Sequence, residues 1–186
     1  LHSSSLSRFG LARAQALMQA GRPTEAAPLY FQSAQRLLEA GDAAGARVRF
    51  HACLEAAPTG EKAAAALEQL AQLELKRNEV QEAAQLFARR AALEKEARPA
   101  ARAYYQASQL VRGTAREEGF LAQALALDAA FVPARLRRAE LSLDEDPATA
   151  LLDLEVALAS DRSDVDAAGA QVDRPALVRR AGFAAL

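Results

Sequence analysis

Few side chains in this sequence are of types that do chemistry. The one thiol, Cys53, stands two residues from His51, one of only two histidines. Such a pair would suit a metal. On a helix, however, residues two apart point about 200° from each other, at ~100° per residue, so the two do not converge. Asp144-Glu145-Asp146 and the trio Asp161, Asp164 and Asp166 are carboxylate sets of the cation-binding kind. The trio alternates with Ser163 and Val165 but lacks the glycine and terminal glutamate of a calcium loop. Both sets read as solvated acidic turns. Ser3 to Ser5 and the histidines have no partner at a catalytic spacing, and neither GxGxxG nor GxxxxGK[ST] occurs. No catalytic residue, metal site or cofactor is expected, and the chain does not read as an enzyme.

Charge narrows the partners. The 23 basic and 24 acidic residues leave a net charge of −1, without the basic excess that phosphate binding demands. No nucleic-acid partner is expected. Arg135 to Arg138 and Arg179-Arg180 read as local, solvated helix faces. No apolar run approaches the ~20 residues needed to span a bilayer. A single cysteine excludes an intrachain disulfide. Arginine outnumbers lysine 20 to 3, an association with GC-rich bacterial genomes. Leu1 in place of methionine suggests a piece of a longer chain, and the compartment is left open, with the cytoplasm favoured over the periplasm.

The elements behind these residues are helices. Isoleucine is absent, aromatics are 5%, and alanine and leucine dominate, a composition that favours helix. Breaks fall at Gly21-Arg22-Pro23, Gly41-Asp42, Pro58-Thr59-Gly60, Arg77-Asn78, Arg98-Pro99, Arg112-Gly113-Thr114, 130–133, 144–147 and 160–163. Gly or Asn suits the left-handed residue that ends a helix, and Pro suits the first turn of the next. Asp42, Thr59, Thr114 and Asp146 are candidate N-caps. Apolar spacing of three and four predicts helices near 7–20, 24–40, 43–57, 61–77, 80–95, 99–112, 115–128, 133–143 and 147–160. A tenth is predicted at 174–185. Residues 1–6 read as a tail, 7–161 as a helical domain, and 162–186 as a connector with a capping helix. Loops of two to five residues make consecutive helices antiparallel.

The helices repeat. Gly41…Ala46…Phe50…Cys53…Pro58, Asn78…Ala83…Phe87…Arg90, and Asp146…Ala150…Leu154…Ala157 share one order: a break, a small residue, a large apolar residue and, in the first and third, a small residue. Breaks at Gly41, Asn78, Gly113 and Glu145-Asp146 are 37, 35 and 32 or 33 residues apart. This pattern resembles the tetratricopeptide repeat family, whose unit of about 34 residues is helix A, turn, helix B. The resemblance covers roughly residues 24–161. It implies an all-α, right-handed α-solenoid of antiparallel helix pairs with about ten helices. Ala46, Ala83 and Ala150 permit close approach within a pair. Phe50, Phe87, Leu121 and Leu154 fill the space between pairs. Arg90 departs from the pattern where a small residue is expected, and Glu117 replaces the helix-B alanine. The preferred frame pairs 24–40 with 43–57 and leaves 7–20 unpaired; the alternative pairs 7–20 with 24–40.

The resemblance also implies function. Helix-A side chains of such arrays line a concave groove that holds peptides. Carried onto this chain, the groove positions are Gln35 and Glu39; Glu68, Gln69, Gln72 and Lys76; Tyr104, Ser108 and Arg112; and Glu140. The lysine–asparagine clamp for a terminal carboxylate is not reproduced, since Gln stands at 35 and 72 and only Lys76 supplies an ammonium. A protein or peptide partner of mixed polarity is expected, with the oligomeric state open. A regulatory or assembly segment of a larger enzyme or of a secretion or signalling complex is the alternative.

Overall fold

The computed structural model describes residues 2–160 and 179, with side chains from Phe9 onward. Among them every regular element is an α-helix: α1 (His2–Gln19), α2 (Pro23–Glu39), α3 (Ala43–Ala56), α4 (Ala63–Lys76), α5 (Val80–Ala91), α6 (Ala97–Leu110), α7 (Ala115–Leu127), α8 (Val132–Ser142) and α9 (Pro147–Ala159). The connector and tenth helix expected at 162–185 lie, Arg179 apart, outside the described residues. α1 begins five residues ahead of the expected start, because the serines before Gly10 carry only a small helix penalty and no proline interrupts them.

Left-handed residues set the helix ends. Gly21, Gly41, Asn78 and Gly113 have φ of 70°, 81°, 63° and 75°. After α1, α2 and α4 the closure is the same double bond. The Gly21, Gly41 and Asn78 amides donate to the Met18, Leu38 and Leu75 carbonyls. The next amides, of Arg22, Asp42 and Glu79, reach back to Leu17, Leu37 and Glu74. This satisfies carbonyls that a helix end leaves open. A Cβ on Gly41 would meet nothing within 4 Å, so Gly41→Ala is expected to cost about 1–2 kcal/mol from backbone conformation alone. The chemical-denaturation midpoint of the variant measures it.

Two of the four expected N-caps cap. Asp42 accepts from the Gly45 amide at 2.8 Å, and Asp146 accepts from the Thr149 amide at 3.2 Å. Thr114 instead turns its hydroxyl back to the Val111 carbonyl. Thr59 is not at a helix start, since α4 begins at Ala63. The helix expected at 80–95 ends at Ala91. α6 takes up the chain at Ala97, two residues ahead of Pro99, so the proline sits in the first turn where its missing N–H costs nothing.

The chain forms two compact units, Leu1–Leu93 and Glu94–Leu186. In the first, α2 packs on both α1 and α3, α3 on α4, and α4 on α5. In the second, α6 packs on α7, α7 on α8, and α8 on α9. The tightest successive pairs are α2 with α3 and α6 with α7. Ala46, Ala83 and Ala150 are fully buried, and Phe50, Phe87, Leu121 and Leu154 are buried four residues beyond Ala46, Ala83, Glu117 and Ala150. Phe31 of α2 meets Phe50 edge-to-face at 5.4 Å, the arrangement that aromatic quadrupoles favour. In the second unit, Tyr105 of α6, Leu121 and Leu125 of α7, and Phe131 and Ala134 at the head of α8 form one cluster. Leu136 and Ala139 of α8 join Leu154 and Ala157 of α9 in another.

Candidate partner-binding surface

The expected groove residues divide between the two units. In the first, Gln35 and Glu39 are exposed one turn apart on α2. On α4, Gln72 and Lys76 are exposed and Glu68 and Gln69 half-buried. Helix periodicity puts Glu68, Gln72 and Lys76 in one row, with Gln69 beside it. Gln72 Nε2 lies 3.4 Å from Glu68 Oε1, and Arg90 Nη1 lies 2.9 Å from Glu68 Oε2. The arginine that breaks the repeat pattern at the small-residue site thus keeps its guanidinium at a carboxylate on the neighbouring helix. Its long side chain is tolerated because the site is only half-closed.

In the second unit the row is interrupted. Tyr104 is half-buried against the α6–α7 cluster, Arg112 is exposed beyond the end of α6, and Glu140 is exposed on α8. Ser108 does not belong to any surface. It is fully buried and donates its hydroxyl to the Tyr105 carbonyl at 2.7 Å. The bond to its own helix satisfies the hydroxyl, so a polar residue there packs as a small one. Glu140 is not independent either, since its Oε2 lies 2.7 Å from Arg137 Nη1.

The arginines of α8, read from the sequence as solvated, are instead structural. Asp153 of α9 is fully buried. Arg138 grips it with two bonds of 2.6 and 2.7 Å, and Arg135 adds a third. Glu117 of α7 is buried at the place of the repeat alanine. It accepts from Arg137 Nε at 2.6 Å and from the Gly113 amide at 2.8 Å. Burial pushes the Glu117 carboxyl up, but the bonds from Arg137 and Gly113 and the charges of Arg137 and Arg112 outweigh it and hold the group below its ordinary value. A buried carboxylate survives only with such partners. In the first unit Glu74 follows the same rule, buried with Arg77 Nη1 at 2.8 Å.

Two concavities accompany these features. One, of about 180 Å³, lies in the first unit between α2, α3 and the turn before α4, with Thr24, Pro28, Cys53 and Lys62 in its wall. Burial pushes the Cys53 thiol up to about 11, and the thiolate is the reactive form. Cys53 is therefore expected to resist a disulfide reagent at pH 8 in native protein, and to react once denaturant opens the unit; thiol titration with and without urea checks this. The other, of about 310 Å³, lies in the second unit among Glu118, Arg138, Leu141, Glu145 and Thr149. Among the described residues no three His, Cys, Asp or Glu side chains gather to hold a metal. Nor is any described helix long and apolar enough to cross a membrane.

No protein-family profile matches the sequence. No curated protein matches it either. Solved structures do resemble it. A MamA protein aligns with a TM-score of 0.51 at 15% identity, over 88% of this chain and 88% of its own. The Cut9–Hcn1 assembly of the APC/C gives 0.49 at 15% identity, over 94% of this chain. This chain spans 36% of that one's length. Residues 1–338 of Acl4, an assembly chaperone of RpL4, give 0.43 at 13% identity, over 94% of this chain and 84% of that one. MamA and Cut9 contain tetratricopeptide repeats. At 15% identity the likeness to MamA establishes the fold: this chain is an all-α array of tetratricopeptide-type helix pairs.

Proposed function

We propose that the chain is a protein-interaction scaffold, whose helix-A side chains hold a partner segment of mixed polarity. The observation that carries this reading is the row Glu68, Gln72 and Lys76 on α4. It exposes a carboxamide and an ammonium at successive turns of a rigid helix, beside a half-buried carboxylate held by Arg90. Four helical residues advance about 6 Å, close to the ~6.6–6.8 Å that an extended peptide advances in two residues. Such a row can meet every second residue of an extended segment. Gln35 and Glu39 on α2 repeat the arrangement on a second helix A of the same unit.

Peptide arrays probed with the full chain, followed by titration of a retained peptide, test the reading. Each neutral hydrogen bond is worth roughly 0.5–1.5 kcal/mol. Gln72→Ala is therefore expected to weaken the peptide about 2- to 12-fold, and Lys76→Ala, whose ammonium makes charged bonds worth roughly 1.5–3 kcal/mol, about 12- to 140-fold, at unchanged thermal stability. Binding that survives both changes and Tyr104→Ala at full strength excludes the helix-A rows.

A further inference from the structure

The larger concavity stands apart from the helix-A rows. It lies in the second unit among Glu118 and Ala122 of α7, Arg138 and Leu141 of α8, Glu145 in the turn that follows, and Thr149 of α9. On α8, Arg138 is two residues from the groove position Glu140 and so stands about 200° round the helix from it. A partner side chain held in this cavity would leave Glu140 free.

The charge of the cavity is one-sided. Glu118 is exposed in the first turn of α7, and Glu145 and Asp146 are exposed in the turn before α9. Glu145 and Asp146 form an acidic turn in the sequence, and the fold brings Glu118 to them from 27 residues before Glu145. Asp146 accepts from the Thr149 amide and hydroxyl, and these bonds hold its carboxyl below the ordinary value. Among the described residues neither Glu118 nor Glu145 is in an ion pair. Arg138, the cation in the wall, does not offset them. Its guanidinium is taken up by the buried Asp153 through bonds of 2.6 and 2.7 Å.

Apolar surface lies beside these carboxylates, from the half-buried Leu141 and from Ala122. The volume of about 310 Å³ is at the low end of the ~300–1,000 Å³ of ligand pockets. That is room for one long side chain, not for a folded segment. An apolar wall next to carboxylates fits a guest with an aliphatic stem and a cationic head. A free amino acid or a peptide C-terminus would also bring a carboxylate, and Arg138 is already engaged.

We propose that this cavity is a second docking site, which takes a lysine or arginine side chain of a partner protein. The stem lies on Leu141 and Ala122, and the cation sits between Glu118 and Glu145. The site does not depend on the helix-A rows, and the loss of either would leave the other intact.

Nuclear magnetic resonance titration of the isotope-labelled full chain tests the site. The probes are N-acetyl-arginine amide and N-acetyl-lysine amide, with the neutral N-acetyl-citrulline amide as control. The two cationic probes are expected to shift the Leu141 and Thr149 amide signals saturably and to leave those of Gln72 and Lys76 in place. Glu118→Gln and Glu145→Gln are each expected to weaken this binding about 1.5- to 5-fold, the range of exposed ion pairs. Together they are expected to weaken it about 2- to 25-fold, at unchanged thermal stability. A citrulline probe that shifts the same signals as strongly overturns the proposal. So does a double variant that binds the cationic probes as tightly as wild type. Spermidine is the remaining arm. Binding at these signals beyond the ~25-fold advantage that its two further charges supply overturns the proposal and gives the cavity to a free polyamine.

Discussion

Arg137→Met is expected to cost about 3 kcal/mol of folding stability in the unit Glu94–Leu186, the low end of the ~3–5 kcal/mol for breaking a buried ion pair. The substitution leaves Glu117 buried with its Arg137 bonds gone. The Gly113 amide still serves one oxygen, and the carboxyl can take up a proton, so the loss stays at that end. The double change Glu117→Ala with Arg137→Leu restores the small residue that the repeat places there and removes both charges. It is expected to recover most of the loss, because exchanging a buried pair for packed apolar groups is often neutral or stabilising. Urea denaturation of the single and double variants, followed by circular dichroism, separates the two effects. A single variant as stable as wild type would show that the pair is solvated.

The same pair predicts an acid limit. The folded Glu117 carboxyl lies below its ordinary value, so the native state binds this proton less readily than the unfolded chain. Its stabilisation is complete above the unfolded carboxylate pKa of about 4.3 and is lost as pH falls through the lower folded value. Lowering the pH from 7 to 3 should therefore cost wild type more stability than it costs the Glu117→Ala/Arg137→Leu protein.

Phe50→Ala carries the second large effect, about 3–5 kcal/mol, typical of truncating a buried phenylalanine. Phe50 is fully buried and packs edge-on against Phe31. It lies on α3, which packs on both α2 and α4, so the cavity would open inside the unit rather than at a surface that can collapse. Phe50→Leu fills most of that volume and should cost far less, because hydrophobic swaps that nearly conserve volume usually cost under ~1.5 kcal/mol. The urea midpoints of the two variants give the comparison. A Phe50→Ala loss no larger than that of Phe50→Leu would mean the repeat position is not a packing centre.

The helix ends were legible because they depend on one residue's backbone preference. Gly21, Gly41, Asn78 and Gly113 occupy left-handed φ, which most side chains avoid, so a break written as Gly or Asn is a local fact. The burial of Ala46, Phe50, Ala83, Phe87, Ala150 and Leu154 was legible for a similar reason. Their spacing repeats, and a narrow helix with that stripe must cover it. Where several residues could serve, boundaries moved. Thr59 stood as a cap until α4 began at Ala63, and α5 stopped at Ala91 once the chain turned into α6.

The polar surface was less legible. Ser108 was expected among groove residues and is buried. Its polarity is cancelled by a carbonyl three residues away, and composition does not report that. Arg135, Arg137 and Arg138 read as solvated, yet they close on Glu117 and Asp153, 15 to 20 residues away. The sequence by itself therefore determined which of the described segments are helical, where a left-handed Gly or Asn ends them and which residues are small enough for helices to meet, since local backbone preference and apolar period decide these. Only the tertiary structure decided which charges lie inside and which side chains remain to meet a partner. A charge is buried only when an opposite one arrives from elsewhere in the chain, and that meeting in space leaves no mark in any local pattern.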